Sequence, residues 1–215
     1  MSERGGPVVP GRTTWDGGRY QRRFDEMRAA GTDVHGEADF VQALGPASVL
    51  DAGCGTGRVA VELARRGIDV VGADVDPSML DVARRQAPGI RWVRSDLALL
   101  DLGRTFDVVV MAGNVPLFTP AGTQAALVAG CARHVAPGGD LVAGFGLGRG
   151  YGVDDYDRDT AAVGLEPVAR FATWDRKPFS PSSDDYAVSI HRQPDPQGPI
   201  SAIRSATEST TRHGR

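Results

Sequence analysis

Short apolar bursts along the chain alternate with longer stretches in which apolar residues recur every three or four positions. Ser48–Ala52, "IDVVGAD" (68–74), "IRWVRSD" (90–96), "FDVVVMAGN" (106–114) and "GDLVAGFGL" (139–147) read as buried strands. Between them, Val59, Leu63 and Ala64 share a helical face with Arg58, Arg65 and Arg66 outside it, and residues 78–86 and 121–135 carry further helical patterns. Strands that alternate with helices predict a parallel sheet covered on both faces. Only "KPFSPSS" separates the last two strand patterns, "EPVARFATWDR" (166–176) and "DDYAVSIHR" (184–192), which predicts an antiparallel hairpin at the sheet edge.

Before the first strand, Tyr20, Phe24 and Met27 share one helical face, with Arg23 inside it, over residues 18–30. A second short helix is expected over 37–44, stopped by Gly45 and Pro46. The organisation that follows is a flexible lead-in and helical lid over 1–45, one domain over 46–192, and a disordered tail over 193–215, where aromatics and periodicity both disappear.

A length of 215 residues suits one domain with a substantial core. The 24 Lys and Arg against 27 Asp and Glu leave a net charge of −3, so nucleic acid is not an expected partner. Two cysteines, Cys54 and Cys131, are too few for a disulfide framework or a tetrahedral metal site, and no metal is expected. No apolar run has the length of a signal peptide core or a membrane span, so the expectation is a cytoplasmic protein with no membrane partner. Oligomeric state has no signature in the sequence.

Chemistry concentrates in "SVLDAGCGTGR", where Asp51, Gly53, Gly55 and Gly57 form a D-x-G-x-G-x-G turn between a strand and a helix. Bare backbone at a helix start suits a ligand that approaches the main chain closely. The dinucleotide fingerprint G-x-G-x-x-G would need glycine at 58, where Arg58 stands. Ligands of a doubly wound sheet lie at the carboxyl ends of its strands. The second strand ends at Asp74, a carboxylate able to accept from two ribose hydroxyls, while Asp76 in "DPS" reads as a helix cap. The third ends at Asp96 and Leu97, and the fourth at Ala112, Gly113 and Asn114.

With these motifs in this order, the sequence resembles the class I S-adenosylmethionine-dependent methyltransferases of small-molecule type. The resemblance implies a Rossmann-like, doubly wound α/β fold with a seven-stranded sheet, mostly parallel with an antiparallel C-terminal edge hairpin. It implies that Gly53, Gly55 and Gly57 lie against the methionine part of S-adenosyl-L-methionine, with Ala112 and Asn114 passing beside it. Asp74 would bind the ribose, Asp96 with Leu97 would read the adenine, and Val75 and Met79 would pack on its ring. Arg23 is the expected cation for the cofactor's carboxylate, and Tyr20 shares its helical face.

Methyl transfer from a sulfonium is a displacement that depends on alignment and exclusion of water. A base is required only for a protonated acceptor, and His35 in the loop "DVHGE" is the expected catalytic group. His134, at the end of a predicted helix, is expected to act as a cation facing the helix dipole, and His191 and His213 lie outside the cleft. Trp15, Tyr20, Phe118, Tyr151 and Trp174 are the expected walls of a small-molecule acceptor pocket, the acceptor atom being O or N. "GNVPLF" stands where many base-modifying methyltransferases carry an NPPY-type sequence, which counts against a nucleic-acid base as substrate. The alternatives are an NAD-dependent oxidoreductase, disfavoured by Arg58, and a non-catalytic S-adenosylmethionine-binding protein.

Overall fold

The computed structural model describes residues 16–31 and 33–197, with the side chains of Arg23, Met27 and Arg28 outside that description. Seven strands form one sheet: β1 Ser48–Ala52, β2 Asp69–Asp74, β3 Arg91–Arg94, β4 Phe106–Met111, β5 Val135–Gly146, β6 Glu166–Phe171 and β7 Tyr186–Arg192. Their spatial order is β3-β2-β1-β4-β5-β7-β6. The first five run parallel, and β7 is antiparallel to both β5 and β6. The sheet is the expected one, with its C-terminal hairpin at the edge. The later strand of the hairpin sits inside and β6 forms the border.

Successive residues of a strand face opposite ways, so the near-continuous apolar runs of β1 and β4 supply both layers of core. Leu50, Val109, Leu141 and Phe145 pack on one side with Val128 of α5 (Gln124–Ala132) and Tyr156 of α6 (Val153–Ala162). Val49, Val108, Val142 and Ile190 pack on the other with Phe40 of α2 (Gly36–Gln42) and Leu63 of α3 (Arg58–Arg65). Two further helices are α1 (Gly17–Ala29) and α4 (Pro77–Gln86).

Three features depart from the sequence reading. Helix α6 lies in a segment whose pattern predicts no element, because "VDDYDRDTAA" is mostly polar and Tyr156 is its one large apolar residue. Helix α5 is shorter than 121–135: Val135 pairs with Phe106 and so begins β5 instead of ending a helix. His134 is buried, its Nδ1 2.8 Å from the Gly130 carbonyl, and its Nε2 accepts the Leu102 N–H at 3.1 Å. A ring nitrogen that accepts an amide hydrogen belongs to a neutral imidazole, so His134 acts as a hydrogen-bonded core residue and not as a cation.

Past β7, Gln193 donates its N–H to Gly139 O at 2.9 Å and accepts from Gly138 N–H at 2.8 Å. Its backbone therefore continues the β5 pairing. The rest of the expected tail from 198, and the lead-in through Trp15, lie outside the described residues.

Candidate functional site

The chain order reverses between β1 and β4, and the loops at that end of the sheet form the site. Beyond β1 the backbone folds onto the end of β2. The amides of Gly53 and Cys54 donate to Ala73 O at 2.8 and 3.0 Å. The Asp74 carboxylate accepts Gly55 N–H at 2.8 Å with one oxygen and Asp76 N–H at 2.8 Å with the other. Burial raises the Asp74 pKa against the lowering by these amides. Asp76 caps α4, accepting from Ser78 N–H at 2.8 Å and Met79 N–H at 3.3 Å, as its sequence context predicts.

The three glycines differ in what limits them. A Cβ on Gly53 would lie 2.6 Å from Val115 Cγ2, and one on Gly57 would lie 2.4 Å from Trp92 Cη2. Both are covered by protein on that side. A Cβ on Gly55 would meet only Tyr20 Cε1, at 4.0 Å, so the open face of the turn is at Gly55. Asp51 is buried below it, where one oxygen accepts Ala60 N–H at 3.1 Å and burial pushes its pKa up to about 7. Its carboxylate ties β1 to the first turn of α3.

At the end of β3, Asp96 Oδ1 accepts Ala98 N–H at 3.0 Å and caps a short 3-10 turn over Leu97–Leu99. Leu97 is buried, and α5 passes so close that a Cβ on Gly130 would lie 2.0 Å from Leu97 O. Val75 is half-buried and Met79 is buried in α4. At the end of β4, Ala112 is half-buried. Asn114 has φ 68°, donates its N–H to Gly144 O at 3.0 Å and accepts Gly146 N–H on Oδ1 at 2.8 Å.

Helix α1 crosses above this turn. Its Gly17 N–H reaches Ser78 Oγ at 3.3 Å, and a Cβ there would lie 2.4 Å from Ser78 O, so the helix start rests on α4. Farther along, Tyr20 borders Gly55, the Tyr20 and Phe24 rings lie 5.1 Å apart, and the Arg58 guanidinium stacks 4.9 Å over Phe24. The Arg23 side chain falls outside the described residues.

Arg58, which the sequence marks as a missing glycine and as a residue outside the α3 apolar face, forms a fork with Glu37 and also donates to Val34 O. The available signal is the acidic Glu37 in the first turn of α2, with no Lys or Arg near it in "DVHGEA". His35 lies beside the next turn of α3, its Nδ1 3.9 Å from Glu62 Oε2. Arg65 and Arg66 also bind Glu62, and these cations hold its pKa at about 2.

Of the expected acceptor walls, Trp174 packs edge-on to Phe40 at 5.3 Å and donates from Nε1 to Tyr186 Oη at 3.2 Å. Tyr186 was not anticipated, because its position opposite Gly146 depends on the antiparallel register. Phe118 is exposed. Tyr151 is turned into the core instead, against Phe145 at 5.7 Å, and donates to Asp159 Oδ2 at 2.8 Å. His191 is buried against Asp157 of α6 at 3.1 Å. Among the described residues no group of acidic, His and Cys side chains could hold a metal, and no helix is long and apolar enough to cross a membrane.

Residues 49–139 match the methyltransferase domain family. A crystal structure of a TehB-like SAM-dependent methyltransferase from Corynebacterium glutamicum is 37% identical, with a TM-score of 0.78 over 82% of this chain and 97% of that one. Trans-aconitate 2-methyltransferase from Methylobacterium nodulans is 33% identical over 59% of this chain and 48% of its own length. A dTDP-3-amino-3,4,6-trideoxy-alpha-D-glucopyranose N,N-dimethyltransferase from Streptomyces venezuelae is 32% identical over 57% of this chain and 52% of its own. The chain thus spans about half the length of these two curated relatives. Near-complete coverage of the Corynebacterium protein, together with the strand order and the turn built on Asp74, shows that the chain belongs to the class I S-adenosylmethionine-dependent methyltransferases.

Proposed function

We propose that the chain binds S-adenosyl-L-methionine over Gly55, beneath α1, and catalyses transfer of its methyl group to an O or N atom of a small molecule. The observation that carries this reading is the open face of Gly55, bounded by Tyr20 and adjoining the Asp74 carboxylate. The donor set fits the cofactor. Each Asp74 oxygen spends one lone pair on a backbone amide and keeps another for a ribose hydroxyl. Asp96 keeps its second oxygen for an adenine amine while the first caps its turn. Val75 and Met79 offer apolar surface between them, and Arg23 is our candidate for the cofactor's carboxylate.

When bound, the cofactor supplies an electrophilic methyl group on sulfur. The protein's part is to align the acceptor and exclude water, and Tyr20, Phe24 and the Arg58–Glu37 fork close the site from above. Relatives named for trans-aconitate and for an amino sugar support a small-molecule acceptor, and the net charge of −3 supports the exclusion of nucleic acid. Two free, buried cysteines suit a reducing cytoplasm.

Calorimetric titration with S-adenosylhomocysteine, S-adenosylmethionine and NADH tests the reading. Saturable binding of the first two without competition by NADH is expected. Tight NADH binding with no response to either sulfur compound would overturn it in favour of an oxidoreductase.

A further inference from the structure

We propose that the methyl acceptor is anchored by an anionic group, a carboxylate or a phosphate, held among Arg149, Tyr186 and Asn114 at the end of β5. This rests on the methyltransferase reading above and adds the chemical class of its acceptor.

Gly144 and Gly146 face the same side of β5, about 7 Å apart by the strand repeat. A Cβ on Gly144 would lie 2.7 Å from Tyr186 Oη and 2.3 Å from Trp174 Cζ2. One on Gly146 would lie 3.5 Å from Arg149 Cδ and 3.6 Å from Asn114 Oδ1. The two glycines therefore let polar side chains from β7, the β4 loop and the β5 loop converge on one bare stretch of sheet, beside the turn assigned to the cofactor.

What converges there is a set of donors, and each neutral one already accepts a hydrogen bond that fixes its orientation. Tyr186 Oη accepts the Trp174 indole N–H, which leaves the phenol's own hydrogen directed elsewhere. Burial raises the Tyr186 pKa to about 12, so that hydrogen is retained at neutral pH. Asn114 Oδ1 accepts Gly146 N–H, which fixes the amide orientation and turns its NH2 outward. The nearby main-chain oxygen of Asp185 accepts Leu147 N–H at 2.7 Å.

Arg149 is exposed and forms no ion pair among the described residues, whereas Arg58 is committed to Glu37 and Arg176 stacks on Phe40 at 4.8 Å. Left-handed glycines on either side, Gly148 at φ 69° and Gly150 at φ 87°, allow the backbone to present the guanidinium toward the strand end. A wall that sets the Arg149 cation beside the Asn114 NH2 and the Tyr186 hydroxyl hydrogen pairs more strongly with an anion than with a neutral group of the same shape. The atom that receives the methyl group lies elsewhere on the acceptor, so anchoring moves no proton and breaks no bond.

The test uses the full chain saturated with S-adenosylhomocysteine and three probes of one shape: benzoate, phenyl phosphate and benzamide. Benzoate or phenyl phosphate should bind at least about tenfold more tightly than benzamide, the stronger of the two identifying the anion. Arg149→Met should remove about tenfold of that affinity and Tyr186→Phe about threefold, with S-adenosylhomocysteine affinity and melting temperature unchanged. Equal binding of benzoate and benzamide, no binding of any probe, or an Arg149→Met variant that binds as the parent does would overturn the proposal. Loss of S-adenosylhomocysteine affinity in Arg149→Met would also overturn it, by assigning the guanidinium to the cofactor's own carboxylate. If the parent protein fails to bind S-adenosylhomocysteine, the methyltransferase reading itself fails, and the same probe comparison in its absence still decides whether the anion site exists.

Discussion

Asp74 Oδ2 accepts the amide hydrogen of Gly55 at 2.8 Å, so the end of β2 and the open face of the glycine turn form one rigid unit. Asp74→Ala should therefore loosen the turn as well as remove the carboxylate we propose for the ribose. We expect S-adenosylhomocysteine binding to weaken by about 2 to 4 kcal/mol, measured by calorimetry. Asp76→Ala should instead lower stability by about 1 kcal/mol through the lost α4 cap, with binding unchanged. The reverse pattern would reassign the ribose carboxylate.

Gly57→Ala places a methyl group against the Trp92 ring at a φ of 85°, so both crowding and backbone strain oppose it. A loss of roughly 2 to 4 kcal/mol in urea unfolding is expected, with part of it recovered in the double variant Gly57→Ala, Trp92→Leu. Gly55→Ala has no such wall and should cost about 1 to 2 kcal/mol of stability from its φ of 54° while reducing cofactor affinity. If Gly57→Ala unfolds no more easily than Gly55→Ala, Trp92 does not limit the turn.

Asp51 titrates in the fold near pH 7, against an ordinary value of 3.8. Because the folded value is the higher one, its contribution to stability is fully present below the ordinary value and is lost as pH rises through about 7. Asp51→Asn keeps an oxygen for Ala60 N–H and carries no charge at any pH. Its stability relative to the parent should therefore increase between pH 5 and pH 8, as read by thermal unfolding at both. A difference that does not change with pH would show that Asp51 ionises inside the fold as readily as outside.

His35 faces Glu62 across 3.9 Å within the Arg65–Arg66 cluster on α3. That placement, against α3 and not at the glycine turn, predicts that His35→Ala leaves turnover within about threefold. A general base would give a different signature: unchanged cofactor affinity with turnover reduced about 10²- to 10⁴-fold and a flattened pH profile.

The parts of this molecule legible in its sequence are those set by local pattern. The apolar runs of β1, β2, β4 and β5 mark the sheet, "DPS" announces the α4 cap, and the spacing from Asp51 to Gly57 marks the glycine turn between β1 and α3. What the sequence conceals depends on partners far along the chain. Gly53 and Gly57 are bare because Val115 and Trp92 fill the space beside them, which no window around the turn reveals. Tyr186 reaches Trp174 only because β7 pairs antiparallel with both neighbours, and His134 is held in the core by the distant Leu102 N–H. Helix α6 escapes a periodicity reading because one buried tyrosine anchors an otherwise polar segment.

The insertion of β7 between β5 and β6 sets an order on biosynthesis. Until Tyr186–Arg192 leave the ribosome, β5 has an unsatisfied outer edge and β6 has no strand to join. The emerging chain must hold two open ladders while β7 is still being made, so products that end before β7 expose both edges to edge-to-edge pairing.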